Sequence, residues 1–315
     1  MTDINKTIIE LIRQNKGMKE ISSILNISEK QLYIRIKQII NYGYQILPSY
    51  NYDSDIYYKI FNKQISTKEG ELSIKMSDSS KHFRCLVISD QHIGNNASDI
   101  KFLNIIYEYA AKNGINIILN CGDMLEGTHS SDRKNIRDIY EQIETFIKQY
   151  PYDKNIMNFG ILGNHDYHFI HFDGIDIRKR ITSARYDIVL FGYGKGLLKI
   201  KNDFILLTHN LSVAKNKTFE KAPKITLSGH GHMMKSKFYD DLILCIPTLS
   251  NVSPDKTKEV IPGFVDMTIQ LNKGKFEYLE AHHMIIAPKV YEASQTRCRV
   301  KNLTNEKIDN NKGKN

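Results

Sequence analysis

Apolar residues recur at helical spacing three times near the start of the chain. The three sets are Ile4, Ile8, Leu11 and Ile12, then Ile21, Ile24 and Leu25, and then Leu32, Ile36, Ile39 and Ile40. Residues that recur every three or four positions form one face of a helix. Ser28 precedes the third set and is a favourable N-cap, since its hydroxyl can accept a backbone hydrogen bond. The pattern predicts three short helices within residues 1–45.

The second and third of these helices resemble a helix-turn-helix. Residues 19–26 would form its first helix and residues 28–41 its recognition helix. The groove-facing side would carry Glu29, Lys30, Gln31, Tyr33, Arg35 and Lys37, and the predicted nucleic-acid contacts among them are Lys30, Arg35 and Lys37. Residues 1–45 contain seven Lys and Arg against four Asp and Glu, which suits a polyanionic partner. The alternative is a plain three-helix accessory domain whose polar face is only solvated.

The remaining pattern predicts the domain organisation. Residues 46–80 mix tyrosines with polar turn residues and are interpreted as a linker or wing. Over residues 81–290, apolar runs of strand length, such as FRCLVIS and INIILNC, alternate with helical ones. These runs are too many for one small sheet, so we predict an α/β fold with two packed β-sheets flanked by helices, preceded by a small all-α domain. Residues 291–315 are predicted to be a polar, disordered tail.

Five short polar motifs each follow one of the predicted strands. They are D-x-H at 90–92, G-D-x-x-E at 122–126, G-N-H-D at 163–166, a lone histidine at 209 and G-H-G-H at 229–232. Loops at the carboxyl ends of strands gather functional groups, so we expect these side chains to meet. Asp, His and Asn form a mixed oxygen and nitrogen ligand set, which suits Mn, Fe, Co, Ni or Zn rather than Ca. The sequence therefore predicts a site for divalent metal ions, with manganese as the first choice.

In order and in full, these motifs resemble the pattern of the calcineurin-like metallophosphoesterase superfamily over roughly residues 83–285. The resemblance implies an α/β/β/α sandwich and two metal ions. It assigns one metal to Asp90, His92 and His232, the other to Asn164, His209 and His230, and the bridging position to Asp123. His165 would stay unbound beside the leaving group as a proton donor or charge stabiliser, oriented by Glu126. The implied reaction is attack by a metal-bound hydroxide on a phosphoester, without a covalent enzyme intermediate.

Residues near the motifs refine this prediction. Gly127 stands where the protein Ser/Thr phosphatases of this superfamily have an arginine, so a phosphoprotein substrate is disfavoured. Asn164 and His209 are 45 positions apart, which leaves no room for a large lid domain and predicts an open site. Asp166 is expected to cap or orient its loop. Candidates for lining the substrate pocket, with plain solvation as the alternative, are His129, Arg133, Lys134, His168 and His171.

Substrate and partner are predicted from the charge and the N-terminal helices together. The net charge of +9 and pI near 9.1 favour polyanions, although an AT-rich genome would give the same excess of lysine. Nucleic acid is the predicted substrate, as in the related double-strand-break repair nucleases, while the compact motif spacing equally resembles small phosphodiesterases. The alternatives are a small-molecule phosphodiesterase or phosphatase acting on nucleotides, and a non-catalytic DNA-binding regulator. The complete ligand set argues against the regulator.

Localisation is predicted from what the sequence lacks. No stretch approaches the roughly 18 consecutive apolar residues of a membrane helix, and the first residues show no secretory signal pattern. A cytoplasmic protein without a membrane partner is expected. The four cysteines have no C-x-x-C spacing and are expected to be structural thiols.

Overall fold

The computed structural model describes residues 2–42, 44, 46–50, 56–60, 64–68, 70–127, 138–212, 222–238, 241–253, 260–287 and 289–300. The N-terminal unit consists of α1 (Asp3–Arg13), α2 (Met18–Leu25), α3 (Glu29–Asn41) and an antiparallel hairpin of β1 (Ile46–Tyr50) and β2 (Ile56–Ile60). All three predicted helices are therefore present.

The cap of α3 forms as the sequence predicts. The Ser28 hydroxyl accepts a hydrogen bond from the backbone N–H of Gln31 at 3.2 Å, and the Gln31 side chain accepts one from the backbone N–H of Ser28 at 2.9 Å. This reciprocal arrangement satisfies two backbone donors at the helix start.

The predicted small helical domain is present, and the hairpin that follows it completes the core of this unit. Ile46, Tyr58 and Ile60 of the hairpin are buried against apolar residues of the helices. The helix residues buried in the same core are Ile8, Ile9, Ile12, Met18, Ile21, Leu32, Ile36 and Ile39. Three short helices alone would leave one side of this core in water, and the hairpin covers it.

Two seven-stranded sheets form the main body. The first sheet has the order β12-β13-β11-β10-β9-β4-β3 and consists of β3 (Gln64–Lys68), β4 (Glu71–Lys75), β9 (Lys195–Ile200), β10 (Asp203–Thr208), β11 (Ile225–Ser228), β12 (Lys235–Phe238) and β13 (Leu242–Cys245). The second sheet has the order β16-β15-β14-β5-β6-β7-β8 and consists of β5 (His82–Ile88), β6 (Ile117–Asn120), β7 (Met157–Leu162), β8 (Ile188–Tyr193), β14 (Gly263–Asn272), β15 (Lys275–Ile286) and β16 (Val290–Arg299). The helices between these strands are α4 (Lys101–Lys112), α5 (Ile139–Gln149), α6 (Asn164–His171) and α7 (Ile177–Ala184). Two packed sheets flanked by helices confirm the predicted fold class.

The second sheet is buried on both faces along β5. Along β5, Cys85 and Val87 belong to the core between the two sheets, whereas Leu86 and Ile88 belong to the core beneath the helices. A strand buried on both faces is apolar throughout instead of alternating, which is why this segment appears in the sequence as a continuous apolar run. Cys85, Cys121 and Cys245 are buried, Cys298 is partly buried, and all four thiols are free.

Two boundaries differ from the sequence prediction. β3 (residues 64–68) and β4 (residues 71–75) belong to the first sheet and not to a linker or wing, because Leu72 and Ile74 face the core between the sheets and β4 pairs in parallel with β9. Residues 291–299 form most of β16 and not a disordered tail. Since β16 is an edge strand with mostly exposed side chains, its polar composition is compatible with a strand. Residues 301–315 lie outside the described part of the chain.

Among the described residues, no helix combines the length and the apolarity that a membrane span requires.

Candidate metal centre

Parallel pairing brings the five motifs to one edge of the sandwich. β5, β6 and β7 are parallel neighbours, so the loops that carry Asp90, Asp123 and Asn164 leave the second sheet at the same edge. In the first sheet, β10 and β11 are parallel, and the residues that follow them include His209 and His230. The two sheets thus deliver their polar residues to a common site.

The backbone at this site is strained. Of the nine non-glycine residues with positive φ in the described part of the chain, five are predicted metal ligands. Their φ angles are 56° at Asp90, 49° at His92, 53° at Asp123, 65° at His230 and 48° at His232. Left-handed backbone costs free energy for a residue with a side chain, although Asp and His tolerate it better than most. Such strain persists where the surrounding structure enforces it, and it is concentrated here at the candidate site.

One cluster consists of Asp90, His92 and His232. Oδ1 of Asp90 lies 3.3 Å from Nε2 of His232 and 3.8 Å from Nε2 of His92, and the two Nε2 atoms are 3.4 Å apart. The other ring nitrogens are held from behind: Nδ1 of His92 lies 2.8 Å from Oε2 of Glu126, and Nδ1 of His232 donates to the carbonyl of Val252 at 2.8 Å. Protons on Nδ1 leave both Nε2 lone pairs directed at the same space, as in metal-binding histidines.

The second cluster consists of Asp123, His209 and His230, whose ligand atoms lie within 4.8 Å of one another. Nε2 of His209 is 2.9 Å from Oδ2 of Asp123, and its Nδ1 is held at 2.9 Å by the carbonyl of Cys121. Asn164, the first residue of α6, lines the same cleft as His209 and His230. The structure therefore brings all seven predicted ligands into two adjacent groups.

These groups fit a cation. Oδ1 of Asp90 is buried without a hydrogen-bond donor among the described residues, which is rare for a carboxylate oxygen. Burial lowers the pKa of His209, but the charge of Asp123 and the contact with it outweigh burial and raise that pKa to about 10. The site thus favours a positive charge. Because protons and metal ions compete for the same ring nitrogens, metal affinity should decrease as the pH falls.

The two buried aspartates occupy different positions relative to the clusters. Oδ1 of Asp90 is 3.3 Å from His232 in the first cluster and 4.0 Å from Nε2 of His209 in the second. Asp123, the predicted bridge, contacts His209 through Oδ2, while its Oδ1 accepts the backbone N–H of His165 at 2.9 Å. Asp90 therefore has the more central position in this structure, and the bridging role of Asp123 stays a prediction.

The carboxylate of Glu126 lies near two histidines, His92 and the predicted partner His165. Oε2 of this carboxylate approaches Nδ1 of His92 at 2.8 Å, whereas its Oε1 is 3.7 Å from Nδ1 of His165. His165 is instead held by the backbone carbonyl of Glu126, at 2.7 Å from Nδ1. The side chain of Glu126 is buried beneath the site and extends past His165 to the metal-facing histidine. Glu126 therefore orients His165 through its backbone and His92 through its side chain.

Asp166 orients its loop as expected. Its buried carboxylate accepts backbone N–H groups of Met124 at 3.2 Å, Leu125 at 2.9 Å and Gly163 at 2.9 Å. These bonds tie the second motif to the third and stabilise the start of α6. Gly163 also lets the side chain of Asp123 lie close to the backbone of this loop, because a Cβ at position 163 would lie 2.1 Å from Oδ1 of Asp123.

The backbone at Gly127 is incompatible with the arginine that the protein Ser/Thr phosphatases have at this position. Its φ is +74°, and a Cβ at this position would lie 2.7 Å from the backbone oxygen of His165. An arginine at this position would require a different backbone. The local structure therefore excludes the side chain that the phosphoprotein enzymes carry there.

Two of the five residues predicted to line the substrate pocket, His168 and His171, lie in the described part of the chain. His168 has its ring centroid 5.4 Å from that of His165, and His171 stacks on Tyr167 at 6.0 Å. His129, Arg133 and Lys134 lie outside the described residues. Asn164 and His230 are exposed, but residues 128–137 and 213–221, which adjoin the site in sequence, are not described, so the expected openness stays a prediction.

Sequence reasoning missed two tyrosines that line the cleft beside the second cluster, Tyr167 on α6 and Tyr193 at the end of β8. Tyr193 ends an apolar run just before Gly194, and this position at the end of a strand is the one sequence signal that could have identified it as a site residue. The carbonyls that hold His209 and His232 have no sequence signal, because every residue has a backbone carbonyl.

The three predicted nucleic-acid contacts do not share one face of α3. Lys30 and Lys37 are exposed, whereas Arg35 is half-buried with Nη1 3.5 Å from Oδ1 of Asn5. Five residues of helix separate Lys30 from Arg35 by about 140° around the axis. Lys37 lies over the ring of Tyr33, whose hydroxyl is 3.4 Å from that of Tyr186. Since Tyr186 precedes β8, this contact lies at the amino-terminal ends of the parallel strands, whereas the candidate metal centre lies at their carboxyl ends.

Comparisons with known proteins agree with the motif pattern. A sequence model described as calcineurin-like phosphoesterase matches residues 83–265, more than half of the chain. Comparison with curated proteins gave no match. Among solved structures, an archaeal phosphodiesterase is 13% identical, with 65% of this chain and 100% of that chain covered and a TM-score of 0.42. Vps29 from Entamoeba histolytica is 14% identical, with 69% and 99% covered and a TM-score of 0.41. The nuclease MPE from Pseudomonas putida is 16% identical, with 68% and 98% covered and a TM-score of 0.34.

At these identities the likeness to solved structures concerns the fold alone. The match of the family model is specific, because it extends from the start of β5 into β14 and includes all five motifs. This chain belongs to the calcineurin-like phosphoesterase family.

Proposed function

We propose that this protein is a phosphodiesterase that depends on two divalent metal ions and acts on nucleic acid. The observation that carries the proposal is the pair of adjacent clusters, Asp90, His92 and His232 beside Asp123, His209 and His230, with Asn164 at the second. Manganese is the first choice, and iron, zinc, nickel and cobalt are alternatives that suit the same donors. When bound, such ions lower the pKa of a coordinated water and neutralise phosphoryl oxygens.

The chain's own groups support catalysis in two ways. The Nδ1 atoms of His92, His232 and His209 are hydrogen-bonded to the Glu126 carboxylate and to the carbonyls of Val252 and Cys121, respectively. These bonds keep the Nε2 atoms of the three imidazoles directed into the site. His165 is held through Nδ1 and its side chain is 24% exposed, which supports a role as proton donor to the leaving group. A proton from Nε2 of its charged form would neutralise the departing alkoxide.

Charge and the N-terminal unit support nucleic acid as the substrate. The chain carries a net charge of +9. On α3, Lys30 and Lys37 are seven positions apart and lie on the same side of the helix, with the exposed Ile34 between them. Exposed lysines aligned along a helix can contact successive phosphates of a backbone.

The test is hydrolysis by the purified full-length protein with Mn²⁺, measured side by side on single-stranded DNA, duplex DNA, RNA and bis-p-nitrophenyl phosphate. We expect hydrolysis of the small diester and of at least one nucleic acid, and loss of both after EDTA treatment. Hydrolysis of the small diester alone would favour a small-molecule phosphodiesterase. No hydrolysis with any of the five metals, despite two bound ions per chain, would favour a non-catalytic regulator.

Removal of residues 1–60 is expected to weaken duplex DNA binding and flatten its salt dependence, because fewer phosphates are neutralised. The cut lies after β2, since removing only residues 1–45 would expose the hairpin residues Ile46, Tyr58 and Ile60. Joint replacement of Lys30 and Lys37 by Ala should lower the salt slope by up to about 2. Hydrolysis of bis-p-nitrophenyl phosphate should barely change in either variant.

Lys6→Ala, an exposed lysine on α1, is the matched control for the lysine variants. Arg35→Ala measures the third predicted contact separately, because Arg35 lies against α1. An unchanged DNA affinity across the salt titration in all variants would reject the docking role of the N-terminal unit.

A further inference from the structure

A cleft of about 390 Å³ lies beside the second cluster. Its lining includes the candidate ligands Asn164, His209 and His230 and two tyrosines, Tyr167 and Tyr193. A molecule in the cleft would therefore contact candidate metal ligands and two aromatic rings at once. This volume falls in the range of pockets that hold small organic ligands, roughly 300–1,000 Å³.

The two tyrosine rings form a corner. Their centroids are 5.9 Å apart and their planes are inclined by 77°. A flat heterocycle that stacks on one of these rings presents its edge to the other, and aromatic groups favour both arrangements. The corner thus suits a planar ring better than a flexible aliphatic chain.

Both rings are held in place before any ligand arrives. The Tyr193 hydroxyl donates to Oδ1 of Asp176 at 3.2 Å, and the guanidinium of Arg178 lies 4.9 Å from the centre of its ring. Tyr167 stacks on His171 with an interplanar angle of 20°. Rings that are already ordered lose little conformational freedom on binding, so more of the stacking free energy appears as affinity.

We propose that this aromatic cleft binds the nucleobase of an unpaired nucleotide whose phosphate lies at the candidate metal centre. A nucleotide joins a flat heterocycle to an anionic phosphate, and the cleft joins aromatic rings to the residues that would hold the cations. This inference rests on the proposed function, and it narrows the substrate to nucleotides whose base is unpaired.

The restriction to unpaired bases follows from stacking geometry. A base in a duplex is already stacked on its neighbours and paired across the helix, so its faces are covered. Entry into the cleft requires a single strand, a strand end or an extruded base. A free nucleotide offers the same chemistry, and the two sources are separated by experiment.

The test is calorimetric binding to the Mn²⁺-loaded full-length protein. Adenosine 5′-monophosphate is compared with ribose 5-phosphate, which lacks the base but keeps the phosphate. Stacking of one base should make the nucleotide bind about 5- to 150-fold more tightly. Equal affinities of the wild-type protein for adenosine 5′-monophosphate and ribose 5-phosphate would by themselves overturn the proposal.

Variants then locate the effect. In Tyr167→Leu and in Tyr193→Leu, the affinity for adenosine 5′-monophosphate should fall to within about threefold of the affinity for ribose 5-phosphate. Tyr167→Phe and Tyr193→Phe should keep the wild-type ratio of these affinities, because stacking needs the ring and not the hydroxyl. The matched control is Tyr278→Leu, since Tyr278 is an exposed tyrosine on β15 with Arg299 over its ring at 5.4 Å. Its strand partner Gln270 pairs with His82, at the opposite end of β5 from the metal centre. Leucine variants that keep the wild-type ratio would overturn the proposal.

The source of the nucleotide is resolved with a phosphorothioate-linked single-stranded tri-adenylate, whose linkages slow hydrolysis. Tighter binding of this strand than of its abasic counterpart and of the mononucleotide indicates nucleic acid, whereas equal binding of strand and mononucleotide indicates a free nucleotide. If Tyr167→Leu and Tyr193→Leu weaken binding of a blunt duplex as much as binding of the single strand, the restriction to unpaired bases is contradicted. Loss of hydrolysis with a preserved base effect refutes only the proposed function, and hydrolysis without a base effect refutes only this inference.

Discussion

Asp123→Asn is expected to abolish measurable hydrolysis of bis-p-nitrophenyl phosphate and to lower the metal content from two ions per chain. Loss of a ligand that serves the metal pair removes several kcal/mol of transition-state stabilisation, which corresponds to at least about 10³-fold in rate. The fold should survive, because an Asn oxygen can still accept the His165 N–H that Oδ1 of Asp123 accepts at 2.9 Å. Turnover and metal content of the purified variant are the measurements.

Asp90→Asn provides the sharpest comparison for the bridging role. Asp90 Oδ1 approaches histidines of both clusters, at 3.3 Å and 4.0 Å, whereas the close histidine contact of Asp123 is with His209. If Asp123 is the bridge, its variant loses both ions and the Asp90 variant retains one; the reverse result would transfer the bridge to Asp90. Asp78→Asn, at a fully exposed position, is the control and should keep both ions and full activity.

Metal-free stability separates a lost ligand from a folding defect. Oδ2 of Asp123 lies 2.9 Å from Nε2 of His209, so the Asp123→Asn protein loses a favourable buried contact between opposite charges. The metal-free variant should therefore melt somewhat below metal-free wild type, but in a single cooperative transition. Absence of a cooperative transition would attribute its inactivity to misfolding.

His165→Asn is expected to lower turnover by about 10²–10⁴-fold, the usual range for loss of a general acid, while the two ions remain bound. His165 belongs to neither of the clusters that contain Asp90 and Asp123, and its Nδ1 is engaged by the carbonyl of Glu126 at 2.7 Å. Diesters with very good leaving groups should lose less activity, because they need less help from a proton. Turnover is measured on a series of aryl diesters of graded leaving-group pKa.

His82→Asn, at an exposed position at the start of β5, is the matched control and should leave turnover unchanged. An equal loss on good and poor leaving groups would refute proton donation and leave charge stabilisation as the role of His165. Loss of metal in His165→Asn would instead make it a ligand, contrary to the prediction.

The site was more predictable than its surroundings, and the reasons are physical. Asp90, His92 and Asp123 follow apolar strands directly, and parallel strands of one sheet end at the same edge, so spacing and strand order together place them. The partner of the Glu126 carboxylate was not predictable, because the choice between His92 and His165 depends on how far the side chain reaches into the buried site. The corner of Tyr167 and Tyr193 depends on the tertiary approach of a helix to a strand end.

Strand assignment failed at β16, where the side chains are mostly exposed, and the sheet to which β4 belongs was not predictable. β16 is an edge strand whose sequence, VYEASQTRCR, has no run of buried apolar residues, and its strand conformation depends on backbone pairing with β15. β4 alternates apolar and polar residues as a half-buried strand should, but nothing near it in sequence shows that its partner is β9. Pairing at long sequence separation leaves no local pattern.

That pairing sets an order of events during synthesis. Leu72 is opposite Leu198 in the parallel ladder of β4 and β9, so 126 residues must be added after Leu72 before its partner exists. At the usual elongation rate of roughly 5–20 residues per second, this takes about 6–25 s, and part of the chain then still lies within the ribosome. During that interval the buried residues of β4, Leu72 and Ile74, have no sheet to join, whereas all the core residues described for α1, α2, α3 and their hairpin have already been made. The nascent chain can therefore complete its N-terminal unit early, while the first sheet depends on residues made much later.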